Sequence, residues 1–356
     1  MRVVIPVVGS RKSHIYNDAN HLKTQWKNKN KTGIENGTDL LSALDLHEHE
    51  RVIGVIGGGG KTSLLYRLGS ELHKKGDSVL LTTTTKMFFP HNRAFDGYLI
   101  TSRYTNFHKG LKRFIKPSSL AQVSAKQSVK RSAKQNVKRS VEQNVERSVK
   151  QSAKQIFAGQ AVKKDKVTGI SPFWIDRGRD YFSEHDLKIL VEADGSARLP
   201  LKLHNNFEPV LPASCDLVIV MAGIDALGKP LDQVVHRWEL ADELLKQTPE
   251  NDLAPETIVD SELFSKIVLA AGHRARSQVK SSARIIPLIN KLDILQEGFE
   301  IEENGKNVEG LQELLDIDRN LTSQEFSKKL SMERFHHVLW CSLKMDGCRH
   351  VDYKYE

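Results

Sequence analysis

From about residue 39 onward, short apolar runs alternate with stretches of helical periodicity. The pattern predicts a short helix at Asp39 to Leu46, a strand at Arg51 to Ile56, a helix at Thr62 to Lys75 and a strand at Ser78 to Thr85. Later apolar strands are predicted at Lys188 to Ala193, Leu217 to Met221, Ile285 to Ile289 and Val338 to Cys341. Such alternation predicts an α/β fold with a mainly parallel sheet and helices on both faces. Ligands of such sheets bind beyond the carboxyl ends of the strands.

Residues 124–155 interrupt this pattern with eight consecutive tetrads of the form Ser/Asn–Ala/Val–Lys/Glu–Gln/Arg. On a helix, a residue every four places drifts by about 40° per tetrad, so the small apolar side chains form no fixed stripe. We therefore expect a low-complexity insertion in a surface loop, either disordered or a solvated helix.

The repeat also carries most of the positive charge, +7 of the net +9. It lacks the aromatic residues that stack on nucleic-acid bases and the bulky anchors of membrane-binding helices. We expect neither a nucleic-acid nor a membrane partner for it. The rest of the chain is nearly neutral, so the basic pI says little about the partner of the site.

The polar residues 1–38 are predicted to be an N-terminal extension, and 39–350 a nucleotide-binding domain that contains the repeat. No apolar run reaches the length of a membrane span, and we expect no signal peptide. Three scattered cysteines, Cys215, Cys341 and Cys348, indicate reduced thiols rather than a disulfide framework. A cytoplasmic location is the expectation.

The run Gly57-Gly58-Gly59-Gly60-Lys61-Thr62-Ser63 lies between a predicted strand and a predicted helix. Glycine backbones and a helix N-terminus present amide groups to phosphate oxygens. Lys61 would neutralise the β- and γ-phosphates, and the Thr62 hydroxyl would bind Mg²⁺. Val55 stands where the strict motif has its first glycine, so a simple turn before Lys61 is the alternative.

Two acidic residues, Glu192 and Asp194, follow an apolar strand in the segment Val191-Glu192-Ala193-Asp194-Gly195-Ser196. Either carboxylate would hold Mg²⁺ beside Thr62, directly or through water. With Lys61, they are the candidate catalytic residues. The alternative is a strand-end carboxylate that caps the next helix.

A further candidate site is Asn290-Lys291-Leu292-Asp293, after another predicted strand. In GTPases an Asn-Lys-x-Asp loop reads guanine, because the Asp carboxylate accepts from N1–H and the exocyclic amine. Adenine would leave those acceptors unpaired. An ordinary turn is the alternative. Cys341-Ser342-Leu343-Lys344 is a weaker candidate for a last base-lining loop.

Two more segments carry candidate site residues, and the first of them is predicted to lie near the phosphates. Thr84, Thr85 and Lys86 end a β-branched run that suits a strand, yet a threonine there would sense the γ-phosphate as a switch does. Asp225, in Gly223-Ile224-Asp225-Ala226-Leu227-Gly228, and His236-Arg237 are candidates for a second substrate, although a solvated surface role is equally compatible with them.

Together, Gly-Gly-Lys-Thr-Ser, Thr-Thr-Thr-Thr-Lys, Val-Glu-Ala-Asp-Gly-Ser, Gly-Ile-Asp-Ala-Leu-Gly, Val-His-Arg and Asn-Lys-x-Asp resemble the YqeC family over about residues 39–295. Members are described as accessory proteins of selenium-dependent molybdenum hydroxylases. The resemblance implies a P-loop NTPase-like domain that assists the maturation of a molybdenum enzyme. The repeat and the first 38 residues depart from the family pattern.

These motifs lead to three functional hypotheses. The first is binding and hydrolysis of a Mg²⁺–nucleoside triphosphate, with GTP favoured over ATP. The second is an ATP-dependent ligase or kinase, because Gly-x-x-Gly-Lys-Thr with Val-Glu-Ala also resembles Mur-type ligases; only 63 residues follow Asp293, fewer than the ~150 of a further domain. The third is a nucleotide-gated carrier or scaffold that does not hydrolyse its nucleotide.

Overall fold

The computed structural model describes residues 40–91, 95–115, 153–245, 253–291, 293, 337–343 and 347–352. The predicted extension at 1–38 and all but the last three residues of the repeat lie outside these ranges. Gln155, the last residue of the repeat, is the first residue of a strand.

The helices are α1 (Leu40–Leu44), α2 (Lys61–Lys75), α3 (Tyr104–Phe114), α4 (Pro172–Glu184), α5 (Leu231–Val234), α6 (Ala241–Leu245) and α7 (Ser261–Arg276). Short 3₁₀ turns occupy Ile224–Ala226 and Trp238–Leu240. The strands are β1 (Val52–Gly57), β2 (Ser78–Thr83), β3 (Lys86–Phe88), β4 (Gly97–Ile100), β5 (Gln155–Gly159), β6 (Ala161–Lys163), β7 (Lys166–Thr168), β8 (Leu187–Glu192), β9 (Leu201–Lys202), β10 (Leu217–Gly223), β11 (Val235–His236), β12 (Arg284–Asn290), β13 (His337–Ser342) and β14 (Gly347–Asp352).

Among the described residues, nine strands form one sheet in the order β14-β13-β12-β10-β1-β8-β2-β5-β4. Every neighbouring pair is parallel except β13 and β14, which are antiparallel. The predicted α/β fold with a mainly parallel sheet is therefore confirmed. Small sheets, β3-β7-β6 and β9-β11, lie beside it.

Helices cover both faces of this sheet, and each face has its own core. Because side chains alternate along a strand, Val52 and Ile56 of β1 pack into one core while Ile53 and Val55 pack into the other. Helices α3, α4 and α7 contribute to the first core, and α1 and α2 to the second. Central strands buried on both faces explain the continuous apolar runs in the sequence.

The element boundaries differ from the predicted ones by a few residues. The second strand ends at Thr83 rather than Thr85, because the Thr85 amide turns back to donate to Thr83 Oγ1 at 3.1 Å. The strand predicted at Lys188 to Ala193 is β8, which runs one residue earlier, and the helix predicted from Thr62 begins at Lys61. Helix α1 is shorter than the predicted Asp39 to Leu46.

The chain order of the strands places a crevice beside β1. From β1 the chain crosses to β2 on one side, whereas β10 and β12 lie on the other side. Such a change of direction opens a crevice at the carboxyl ends of the strands. The glycine run follows β1 at this point. No helix in the described ranges is both long enough and apolar enough to cross a membrane.

Candidate functional site

The glycine loop is a tight turn between β1 and α2. Strand β1 ends at Gly57 and α2 begins at Lys61, and Gly57 and Gly60 have φ of 91° and 119°. A Cβ at Gly57 would overlap the carbonyl oxygen of Met221, and one at Gly59 would overlap the backbone nitrogen of Gly223. The loop thus needs glycine because it presses against the end of β10.

Three of the loop's amides already have acceptors within the protein. Gly57 N donates to Asp194 Oδ2 at 2.9 Å, Gly58 N to Met221 O at 2.9 Å and Gly59 N to Leu199 O at 3.2 Å. In this structure the amides of Gly57, Gly58 and Gly59 therefore donate to protein acceptors, and the predicted phosphate-binding role of these glycines stays a prediction.

The donors suited to an anion lie instead at the start of α2. Leu64 N makes the first intrahelical bond, to Gly60 O at 3.0 Å. The amides of Lys61, Thr62 and Ser63 have no intrahelical acceptor, as in any first helical turn, and the helix dipole adds partial positive charge there. The structure thus places the anion-attracting end of α2 at the crevice.

Lys61 is held inside the protein by Asp194. Its Nζ lies 3.1 Å from Asp194 Oδ1 and donates to Gly57 O at 2.5 Å. Asp194 is fully buried, and its Oδ2 lies 2.5 Å from His204 Nε2 and 3.7 Å from Lys202 Nζ. Burial alone would raise the pKa of Asp194, but Lys61, the His204 hydrogen bond and Lys202 lower it below its usual range. Asp194 is therefore an ionised anchor for Lys61.

Glu192 occupies a different position from Asp194, next to the helix start. Thr62 Oγ1 donates to Glu192 Oε2 at 2.7 Å. Burial raises the pKa of Glu192, and Lys61 and the Thr62 hydrogen bond only partly oppose this effect. A buried carboxylate with a raised pKa gains stability from an added cation. Within the described residues, no group of three or more His, Cys, Asp or Glu side chains is arranged to hold a metal by itself.

Asn290 connects the glycine loop to the loop that follows β13. Its Nδ2 donates to Gly59 O at 2.8 Å, and its Oδ1 accepts from Leu343 N at 3.1 Å. Ser342 Oγ donates to Asp293 Oδ1 at 2.8 Å. The structure therefore brings Asn290 and Asp293 together with Ser342 and Leu343 of the weaker candidate loop and with the glycine run. Lys344, the last residue of that candidate loop, lies outside the described residues.

Lys291 and Asp225 form an ion pair beside this loop. Lys291 Nζ lies 2.6 Å from Asp225 Oδ2, and Lys291 has φ of 71°, which turns the chain sharply after β12. Asp225 Oδ1 is buried without a hydrogen-bond partner among the described residues. Asp225, predicted as a second-substrate residue, thus lies with the predicted base loop.

His236 and Arg237 lie apart from the base loop, beside Lys202 and Glu208. Arg237 Nε lies 3.0 Å from Glu208 Oε2, which also lies 3.0 Å from Lys202 Nζ. Burial lowers the pKa of His236, and the nearby Lys202 and Arg237 charges add to this effect. Arg237 is thus connected to Lys61 by a chain of alternating charges through Glu208, Lys202 and Asp194.

The threonine run is tied to β8. Thr84 N and Thr83 Oγ1 both donate to Glu192 O, at 3.1 and 2.9 Å, and Thr84 Oγ1 donates to Val210 O at 2.6 Å. Thr85 is half-buried and Lys86 is exposed. The run therefore lies beside the Glu192 backbone, with the Thr84 hydroxyl directed at another loop.

Sequence reasoning missed Lys202, His204 and Glu208. All three are at least half-buried, and each contacts either Asp194 or a partner of Asp194. The alternation Leu201-Lys202-Leu203-His204 was the available signal, because period two places Lys202 and His204 on the same side of an extended segment. Without a neighbouring strand prediction, that pattern was too short to interpret.

The fold and the site define the class of protein: an α/β protein whose glycine loop, helix start and strand-end carboxylates meet at the carboxyl edge of a parallel sheet. A family model described as YqeC protein matches residues 53–239, more than half of the chain. The chain belongs to the YqeC family. Asn290, Lys291 and Asp293 lie outside the matched residues.

A curated relative covers a similar share of the chain. The protein described as "Uncharacterized protein YqeC" from Escherichia coli strain K12 is 30% identical over 221 residues, which are 62% of this chain and 70% of the relative. No solved structure matches this chain.

Proposed function

We propose that this protein binds a Mg²⁺–nucleoside triphosphate at the start of α2 and hydrolyses it, with GTP preferred over ATP. The observation that carries the proposal is the pairing of Thr62 with Glu192 at 2.7 Å directly beside the pairing of Lys61 with Asp194 at 3.1 Å. The crevice thus combines ligands for both parts of the nucleotide. An ammonium and a helix N-terminus suit the phosphate oxygens, and a hydroxyl and a carboxylate suit the cation.

The oxygens of Thr62 and Glu192 suit Mg²⁺. Both are hard ligands, and neighbouring oxygens around an octahedral Mg²⁺ lie about 2.9 Å apart, close to the 2.7 Å between Thr62 Oγ1 and Glu192 Oε2. Mg²⁺ is usually held by one or two carboxylates plus phosphates and waters. When bound, it would neutralise charge on the phosphate oxygens. Asp194, committed to Lys61, would act on the cation only indirectly.

Lys61 and the first amides of α2 would stabilise the charge that develops on the γ-phosphate during attack by water. For this, Lys61 Nζ would exchange its bond to Gly57 O for a phosphate oxygen while keeping Asp194 as its counter-ion. Asp194 would thereby hold the ammonium charged and aimed at the crevice.

The preference for GTP rests on Asn290 and Asp293. Asn290 fixes the distance between the phosphate loop and the base loop, and Ser342 orients the Asp293 carboxylate. A carboxylate in this position accepts the two N–H groups of guanine and leaves adenine without a matching donor pair.

By the resemblance of its motifs, we extend the proposal to a cytoplasmic role as an accessory factor for a selenium-dependent molybdenum hydroxylase. A nucleotide-gated carrier that does not hydrolyse GTP is the second candidate. The observation that favours it is the burial of Lys61 between Asp194 and Gly57 O, which would slow turnover in the absence of a partner. Turnover measured with and without the client enzyme separates the two.

Isothermal titration with the non-hydrolysable analogues GppNHp and AppNHp, each with and without Mg²⁺, tests the binding proposal. The expected result is Mg²⁺-dependent binding with a preference for the guanine analogue. Equal affinity for both analogues would contradict the guanine assignment alone. No binding of either analogue would contradict the proposal as a whole.

A further inference from the structure

A second concave site is lined by His204, which contacts Asp194 Oδ2, whereas Lys61 contacts Asp194 Oδ1 and does not line the site. It is a groove of about 440 Å³ between α6 and α7. One face of α7 lines it with residues at helical spacing, and α6 supplies Leu244 and Leu245. Its volume lies within the range of small-molecule sites.

The groove combines an apolar wall with basic side chains. Leu244, Leu269 and Ala270 form the apolar part, while Lys266, His273 and Arg274 supply basic groups. Arg274 Nε donates to Glu208 O at 2.9 Å and its Nη2 donates to Asn206 O. Both acceptors are neutral carbonyls, so the positive charge of Arg274 remains available to an anion.

His204 links this groove to Asp194. The imidazole lines the groove and is only 3% exposed. Because Asp194 is ionised, His204 Nε2 is the donor in their 2.5 Å contact. The other ring nitrogen, Nδ1, is buried and has no hydrogen-bond partner among the described residues. Buried polar atoms without partners are costly, so a group that binds at the base of the groove would relieve this cost.

We propose that this groove binds a small organic anion, a phosphate or carboxylate carried on an apolar body, with His204 contacting the ligand. The ligand's charge would lie near Arg274 and near Lys266, which also pairs with Glu262 at 3.0 Å. Its apolar part would lie against Leu244 and Leu269. The His204–Asp194 contact would lie between this ligand and Lys61. Binding of the ligand does not require the proposed nucleotide.

The test is isothermal titration of the full chain, without nucleotide, with phenyl phosphate, inorganic phosphate and phenol. Phenyl phosphate is expected to bind at least about tenfold more tightly than either fragment, because only it offers both the anion and the apolar body. An equal response to phenyl phosphate and inorganic phosphate would overturn the proposal, since it indicates an adventitious ion only. A protein that binds none of the three would overturn it as well.

Three variants locate the binding. Ala270→Phe fills the groove and is expected to weaken phenyl phosphate binding by roughly tenfold or more. Lys266→Gln is expected to weaken it by about threefold, whereas Lys163→Gln, which removes an exposed lysine on β6, leaves it unchanged. If Ala270→Phe and Lys266→Gln both bind like the unaltered chain, the ligand lies elsewhere and the proposal is wrong.

Lys61→Ala separates this inference from the proposed nucleotide function. It is expected to bind phenyl phosphate with unchanged affinity, because Lys61 does not line the groove. Loss of phenyl phosphate binding in that variant would place the anion at the start of α2 and would contradict the groove.

Discussion

Charged side chains are buried at both ends of the central strands, at the amino edge and at the carboxyl edge of the sheet. The two sets differ in how fully their polar atoms are hydrogen-bonded. At the amino edge, Asp216 precedes β10 and accepts from the Arg51 and Val52 amides, from both Nη atoms of Arg179 and from Lys280. At the carboxyl edge, Asp194 contacts Lys61 and His204, and the buried atoms His204 Nδ1 and Asp225 Oδ1 have no hydrogen-bond partner in the part of the chain that the structure describes.

The difference separates stability from ligand binding. Asp216 joins β1, α4 and the loop before β12 through a satisfied set of hydrogen bonds, and these contacts overcome the effect of burial and lower its pKa to about 2. Polar atoms left without partners in a buried site carry a cost that a ligand can remove. We therefore expect changes at the amino edge to alter unfolding and changes at the carboxyl edge to alter ligand binding.

The largest expected effect is the loss of stability in Asp216→Asn. Removal of this buried charge leaves Arg179 and Lys280 without their partner, which costs about 3 kcal/mol in the free energy of unfolding. Urea denaturation followed by circular dichroism measures it. Asp186→Asn is the matched control, because Asp186 pairs with Arg51 but its side chain is 79% exposed; we expect a cost below ~0.5 kcal/mol. An equal loss in the free energy of unfolding in the two variants would contradict the stabilising role assigned to the buried Asp216.

A second prediction from Asp216 concerns the loss of folding stability at acid pH. Its folded pKa of about 2 lies below its ordinary value of 3.8, so its contribution is present above pH ~4 and is lost as the pH falls through about 2. The loss amounts to at most about 2 kcal/mol. Denaturation curves between pH 5 and pH 2, compared with Asp216→Asn, isolate this part. A variant that is as acid-sensitive as the unaltered chain would contradict the assignment.

At the carboxyl edge, Asp293→Asn is expected to reduce the preference for GppNHp over AppNHp by roughly tenfold, since the amide replaces one of the two acceptors by a donor. Binding of the adenine analogue should change little. Competition titration of the two analogues measures the ratio. A ratio that does not change would contradict the role of Asp293 in reading the base.

A smaller effect is expected for Glu192→Gln. The amide keeps the size of the side chain but binds Mg²⁺ more weakly, so the gain in GppNHp affinity on adding Mg²⁺ should fall by about fivefold. Glu184→Gln, an exposed change at the end of α4, is the control. If Mg²⁺ strengthens binding equally in both variants, Glu192 does not hold the cation.

The sequence was sufficient to predict the central strands of the main sheet, but not several of the shorter strands outside its centre. β1, β8, β10 and β12 are buried on both faces, so their apolar runs were readable. β4, β6 and β7 are only three or four residues long, and β6 is fully exposed, so neither length nor periodicity marked them. Strand β5 was missed because it begins within the last tetrad of the repeat.

The sequence was sufficient to predict that the motifs lie close together, because parallel strands have their carboxyl ends at the same edge of the sheet. What the sequence did not separate were the roles of Glu192 and Asp194. Two acids two residues apart look equivalent in a strand, yet one contacts Thr62 and the other Lys61 and His204. That division depends on Lys202 and His204, which reach Asp194 only through the fold. Asp216 was overlooked for a similar reason, because its four partner residues, Arg51, Val52, Arg179 and Lys280, are all more than 30 residues away in sequence.

The central claim is that Lys61 and the start of α2 hold the triphosphate tail. Its most direct test is titration of Lys61→Ala with Mg²⁺–GppNHp against Lys74→Ala, which removes an exposed lysine from the same helix. We predict that Lys61→Ala loses about a hundredfold in affinity while remaining cooperatively folded, and that Lys74→Ala binds like the unaltered chain. A folded Lys61→Ala protein with unaltered GppNHp affinity would contradict the claim.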